Sequence, residues 1–251
     1  DIGTLFTVSQ FDKPVKRVDL FQEMQGGASG GTIETAFSMG KLSKEMRHPF
    51  LLNPENSFTE EQQKNSKDDM RIEKIDELDA WSGMFVMAAG NTRVVRRSAA
   101  LMEQNQRGYG ANFTFGEYGL HKTKKLARRA SFGLILGFII IASPLKRIVR
   151  RFLPKPGEGP SQEVQNNGWF RSTFIAEAED GEKKICSLYG SGDPGYKSTS
   201  KLVCESALTL AQSNNLPGGE NYGGVLTSAA GLGNELIIRL KEADIEFKVE
   251  S

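Results

Sequence analysis

The sequence predicts an α/β fold, a mixed sheet with helices packed on it, and three observations predict it. Strand-like and helix-like segments alternate along the chain rather than clustering by type. A glycine-rich loop, Gly26 to Thr32, joins a strand-like run to a segment of helical composition. Finally, 251 residues with 38% apolar content suffice to bury one sizeable core. We divide the chain into an α/β region at 1–120 with a polar insertion at 53–79, a basic-apolar-basic helical segment at 121–155, and an α/β unit at 156–251 that closes the same domain.

In chain order, Ile2–Val8 and Val15–Phe21 are short apolar runs separated by the turn-like Phe11-Asp12-Lys13-Pro14, which suggests two strands. The glycine loop follows, then Ile33–Met39 reads as a helix with Thr32 as its cap. Backbone N–H groups at such a helix start attract anions, so Ser29, Gly30, Gly31 and Thr32 form a candidate substrate cradle. A tight turn needing left-handed backbone is the other reading. The same loop spells G-x-S-x-G, the nucleophile-elbow pattern, but a hydrolase would need a downstream histidine, and His121 lies in a cationic block. Residues 53–79 lack a sustained hydrophobic period and read as an exposed connection. Phe85–Ala89 reads as a short strand leading into a helix through Met102. The spaced aromatics from Tyr109 to Tyr118 argue for another strand, with Tyr109 and Phe113 either lining an apolar cleft or packing in the core.

Residues 121–155 carry ten cations and no acid: Lys122, Lys124, Lys125, Arg128 and Arg129 precede an apolar centre, and Lys146, Arg147, Arg150, Arg151 and Lys155 follow it. The apolar centre, Phe132–Leu145, falls short of the ~20 residues a spanning helix needs. A buried helix with a cationic collar and an interfacial helix on anionic lipid both remain open, and the second would place Arg128, Arg129, Phe138, Ile139, Ile140, Arg150 and Arg151 at a membrane surface.

Beyond a Pro/Gly linker at 154–161, Trp169–Ala178 and Lys184–Tyr189 make a hairpin around Glu179-Asp180-Gly181-Glu182. Ser198–Gln212 is a helix with Leu202, Val203, Ala207, Leu208, Leu210 and Ala211 inward. Leu232–Ala243 is a second helix, buried through Leu232, Leu236, Ile237 and Leu240, and Ile245–Val249 is a strand. Gly190–Gly195 spells G-x-G-x-x-G between strand and helix, yet Pro194 sits where a phosphate helix should be running and too little chain remains for repeated βαβ units, so it reads as a structured turn.

The near-balanced charge of +1 leaves the rest of the chain net acidic and argues against nucleic acid as a partner. Two cysteines, Cys186 and Cys204, and two histidines, His48 and His121, give neither a disulfide framework nor a metal spacing, so a reducing, intracellular setting and no metal are expected. The chain opens on Asp1 without an initiator methionine or presequence, as a fragment would.

Five segments, GGASGGTIET at 26–35, FVMAAGNTRVVRRS at 85–98, PGEGPS at 156–161, GDPGYKSTSKLVCESALTLA at 192–211 and GGVLTSAAGLGNELIIRL at 223–240, together resemble the saccharopine dehydrogenase-like oxidoreductases, which include the trans-acting enoyl reductases of glycolipid synthesis. Ser228 and Asp244 depart from the family pattern, where a proline and a helix-ending glycine are expected. The resemblance implies the substrate-side, C-terminal portion of a two-domain oxidoreductase whose N-terminal Rossmann domain has no counterpart here. NAD(P) then serves the full-length family and is not expected to bind this chain alone. It also implies a hydride transfer to a lipid-linked or otherwise hydrophobic substrate. The expected partners are a membrane or lipid surface, a lipid-like small molecule, and a homodimer or larger membrane complex. The expected location is peripheral, on a lipid droplet, mitochondrion or other organelle. A non-catalytic binding or scaffold subunit derived from this family is the alternative. No catalytic residue is assigned; Glu34, Tyr109, Glu117 and Tyr118 are the titratable groups nearest the expected cleft.

Overall fold

The computed structural model describes residues 1–27, 31, 34, 48–66, 71–105, 107–155, 157–219 and 222–250. Its elements are α1 (Ile2–Val8), β1 (Val15–Gln25), α2 (Glu60–Asn65), β2 (Lys74–Ile75), β3 (Ala80–Gly83), α3 (Ala88–Gln104), β4 (Thr114–His121), α4 (Lys124–Ala142), α5 (Lys146–Val149), α6 (Gln162–Asn167), β5 (Trp169–Ala178), β6 (Lys183–Ser191), α7 (Lys197–Gln212), α8 (Ser228–Glu242) and β7 (Ile245–Val249). They build the expected α/β architecture around one seven-stranded sheet of order β2-β3-β4-β1-β5-β6-β7. β1 and β4 run parallel, and the other neighbours are antiparallel.

The core lies on one sheet face. Val18 and Leu20 of β1, Phe115 of β4, Phe174 and Ala176 of β5 and Leu188 of β6 meet Leu5 of α1, Val95 of α3 and Leu232, Leu236 and Leu240 of α8. The β5–β6 hairpin, α8 with Leu232, Leu236, Ile237 and Leu240 buried, and β7 stand where the sequence places them.

Four local expectations change. Ile2–Val8 is helical, because a short apolar run carries no period that separates a strand from a buried helix. This helix lies so close to β5 that a Cβ on Gly3 would meet the Phe174 ring at 2.3 Å. The 53–79 stretch contains α2, held by a Thr59–Gln62 capping box, as well as β2. Phe85–Ala89 is not a strand; the strand is the preceding Ala80–Gly83, which pairs with β2 on one side and with Leu120 and His121 of β4 on the other. On α7 the apolar side faces outward, with Val203 62% and Leu210 65% exposed, while Leu202, Ser206 and Thr209 turn inward. Those inward hydroxyls bond carbonyls of their own helix, Ser206 to Leu202 and Thr209 to Glu205, which satisfies them without solvent.

The two departures from the family pattern are locally accommodated. Ser228 is the first residue of α8 after the Thr227 cap, a position that accepts proline or serine. Asp244 follows the helix end with φ +60°, the left-handed conformation in which glycine is unstrained. Asp244→Gly should therefore stabilise the fold by about 0.5–1 kcal/mol, read as a rise of a few degrees in Tm. An unchanged or lower Tm would count against that account.

Candidate functional site

Alternation along three neighbouring strands brings a polar group into the apolar core. Gln22 pairs across from Ser172, and Leu20 across from Glu117, so Gln22, Glu117 and Ser172 share the inner face. Asn91, in the first turn of α3, reaches down onto them. Gln22 Nε2 donates to Glu117 Oε1 at 2.9 Å and Asn91 Nδ2 donates to the same oxygen at 3.0 Å. Ser172 Oγ donates to Gln22 Oε1 at 2.7 Å, which fixes the Gln22 amide. Glu117 Oε2 has no partner among the described residues, although the side chain is only 4% exposed. Burial pushes the Glu117 carboxyl above the ordinary carboxylate range, with the two amide hydrogen bonds pulling partly back.

This cluster lines a cavity of about 300 Å³ whose remaining wall is mainly apolar: Phe115, Phe170, Phe174, Leu188, Leu202 and Leu236. Gln22 also lines a second, open groove of about 550 Å³ at the C-terminal ends of the parallel strands β1 and β4, the edge where α/β sheets commonly receive ligands. Met24, Met84, Phe85, Leu120 and Trp169 form its apolar walls, and His121 and Glu23 its polar groups. Desolvation lowers the His121 pKa, and Nε2 has no partner among the described residues.

Helix α4 closes one side of the groove through Ala130, Gly133 and Leu134. It is anchored by Ala127 and Ser131, both buried, with Ser131 Oγ accepting from the Met84 amide at 2.9 Å, and by Lys124 over the Trp81 ring at 4.8 Å. The rest of its apolar surface is open: Phe132 is 66% exposed, Ile139 59%, and Leu136 and Phe138 are exposed as well. Phe152 beyond it is 83% exposed. Of the expected membrane residues, Arg128, Arg129, Phe138, Ile139 and Arg151 are exposed, Ile140 is half-buried, and Arg150 is exposed but donates to Glu34 at 2.6 Å. The helix is therefore not the buried element that the sequence also allowed. No helix among the described residues is long and apolar enough to cross a membrane.

The other expected site residues fall elsewhere. Ser29, Gly30 and Thr32 lie outside the described residues, and Gly31 is exposed. Tyr109 and Phe113 meet edge to face at 5.0 Å inside the core, and neither lines the Glu117 cavity or the groove. Tyr118 stacks on Phe21 at 5.6 Å on the opposite sheet face. Among the described residues no cluster of histidine, cysteine or carboxylates could hold a metal.

The Gly190–Gly195 motif does not fit a dinucleotide. Asp193, fully buried, accepts from the amides of Gly195, Tyr196 and Lys197 at 3.1, 3.2 and 3.0 Å. The donors a pyrophosphate would use at this helix start are thus already occupied by a carboxylate, which would also repel it. The two glycine loops instead pack together: a Cβ on Gly195 would lie 2.5 Å from the Gly27 carbonyl, and one on Gly26 would meet Pro194 at 2.8 Å.

Fold and site define an α/β domain with a half-open, mainly apolar cavity lined by one buried carboxyl. The chain is similar to proteins named trans-acting enoyl reductases. It is 30% identical over 249 residues to a protein of Mycobacterium tuberculosis that bears this name provisionally, covering 90% of this chain and 57% of that protein. It is 34% identical over 173 residues to the trans-acting enoyl reductase of Mycobacterium bovis and 33% identical to that of Mycobacterium ulcerans, covering 66% of this chain and 40% of each relative. The chain thus spans about half the length of the curated relatives it matches. No family model and no solved structure matches it.

Proposed function

We propose that this chain is the substrate-side portion of an NAD(P)-dependent, saccharopine dehydrogenase-like enoyl reductase that acts on a hydrophobic, lipid-linked substrate at an anionic lipid surface. The hydride donor is bound by a unit other than the residues described here. The relatives' names support the reaction class. One observation carries the lipid surface: α4 and the turns after it expose Phe132, Ile139, Ile148 and Phe152 between cationic flanks, directly beside the groove that Ala130 and Leu134 line. An interfacial helix needs this combination of apolar area and positive charge.

Sedimentation with phosphatidylcholine vesicles containing phosphatidylserine tests it. The wild-type chain should pellet with the vesicles. Ile139→Glu removes burial worth about 1.5–3 kcal/mol and should weaken binding by roughly one to two orders of magnitude, with Tm unchanged because the side chain is exposed. Equal pelleting of both proteins, or none with either, would remove the membrane from the proposal.

A further inference from the structure

The Glu117 cavity points to a protein group that would meet a ligand's oxygen, which neither the relatives' names nor the exposed face of α4 supplies. Oε1 of Glu117 already accepts two amide hydrogens, from Gln22 and Asn91, so its lone pairs are committed. Oε2 accepts none and is buried. When the carboxyl is neutral, the proton therefore belongs on Oε2, and that O–H is left as a buried donor without a protein acceptor in a side chain that lines a mainly apolar cavity of about 300 Å³. A charged ligand would lose its hydration there, and the cationic group that acts on Glu117, the buried amino group of Asp1, is itself pushed toward its neutral form by desolvation, whereas an uncharged ligand loses little. A pure hydrocarbon fills the space but leaves the donor unsatisfied.

We propose that this cavity binds an uncharged, mainly apolar molecule or acyl segment carrying one carbonyl oxygen, and that Glu117 Oε2 donates a hydrogen bond to that oxygen while Gln22, Asn91 and Ser172 hold the carboxyl in place. The proposal deepens the substrate-side reading, since Gln22 lines both the cavity and the groove beside α4. Glu117 is here a binding and positioning residue. Burial, which raises its pKa, keeps the donor form present at higher pH than in an exposed glutamate. Asp1 supplies the only other titratable groups on the cavity wall among the described residues: its carboxylate is engaged by Ser98 Oγ and the Ala229 amide, and its buried amino group, whose pKa desolvation lowers, draws the Glu117 pKa partly back down.

Calorimetry on the full chain with benzylacetone and, as its carbonyl-free counterpart, butylbenzene tests the inference without lipid. The ketone should bind about tenfold more tightly, the effect of one buried hydrogen bond. Glu117→Gln presents an amide N–H where Oε2–H stood, so the ketone preference should persist and be independent of pH. In the wild type, raising the pH ionises the carboxyl, removes the donor and should abolish the preference. Glu117→Leu should bind both probes alike. Equal affinities in the wild type, no binding of either probe, or a wild-type preference indifferent to pH would overturn the inference; should Glu117→Leu fail to fold, the glutamine variant and the pH series still decide. Vesicle sedimentation of the same variants separates the two ideas. Lipid binding without ketone preference defeats this inference alone, and ketone preference without lipid binding defeats the membrane reading alone.

Discussion

Asp193→Ala should lower the stability of the fold by about 3 kcal/mol and its Tm by roughly 6–12 °C. The side chain is fully buried and holds the turn that leads into α7 through three backbone amides at once, those of Gly195, Tyr196 and Lys197. An ordinary cap contributes about 1 kcal/mol, and each further buried donor left without an acceptor costs about 1–3 kcal/mol. The backbone of Asp193 is fixed independently, its N–H donating to the Gln165 carbonyl at 2.9 Å and its C=O accepting from Ser198 at 3.0 Å, so the loop cannot easily swing to water. Gly26 and Gly168 pack directly against its Cβ, at 2.9 and 2.6 Å from where their own Cβ atoms would stand. Asp193→Asn retains one acceptor oxygen and should fall between the two. Thermal and urea unfolding of the three proteins would show it; an alanine variant melting within about 2 °C of the wild type would mean that water or relaxation replaces the cap.

That residue also shows what can and cannot be read from a chain. The G-x-G-x-x-G spelling was visible, and so was its misfit with a dinucleotide, because Pro194 and the short remainder are local facts. That the Gly26-Gly27 loop lies against the same turn depends on contacts across more than 160 positions. Periodicity found α8, where Leu232, Leu236, Ile237 and Leu240 all face the core. The same argument misplaced α7, because Val203 and Leu210 look outward and its packed face uses Ser206 and Thr209, which satisfy their hydroxyls within the helix. The candidate site was legible only in part. Glu117 stood out as titratable, but Gln22, Asn91 and Ser172 are ordinary polar residues in sequence, drawn together from β1, α3 and β5 by the sheet register. Tyr109 and Phe113 took the core rather than the cleft of their two readings, a choice the sequence leaves open because aromatic spacing is the same for both.

Changing Arg128, Arg129, Arg147 and Arg151 together to glutamine should reduce affinity for phosphatidylserine-containing vesicles by on the order of 10²–10³-fold at low salt. Each cation near an anionic surface contributes up to about 1 kcal/mol, and four lost together approach about 4 kcal/mol. These four are chosen because all are exposed, while Arg150 is paired with Glu34 and Lys124 rests on Trp81. The apolar contribution of Phe132, Ile139 and Phe152 is untouched by the change, so binding to neutral vesicles should match that of the wild type. Salt separates the same two contributions in the wild-type protein. Shortening the Debye length from about 10 Å to about 3 Å between 0.1 M and 1 M salt should bring its affinity for anionic vesicles down toward that of the arginine variant, leaving only what the apolar side chains supply. Because exposed arginines contribute little to folding, the variant's Tm should stay within a few degrees of the wild type. A quadruple variant that keeps its affinity for anionic vesicles, or a wild-type affinity indifferent to salt, would show that the cations around α4 face something other than lipid.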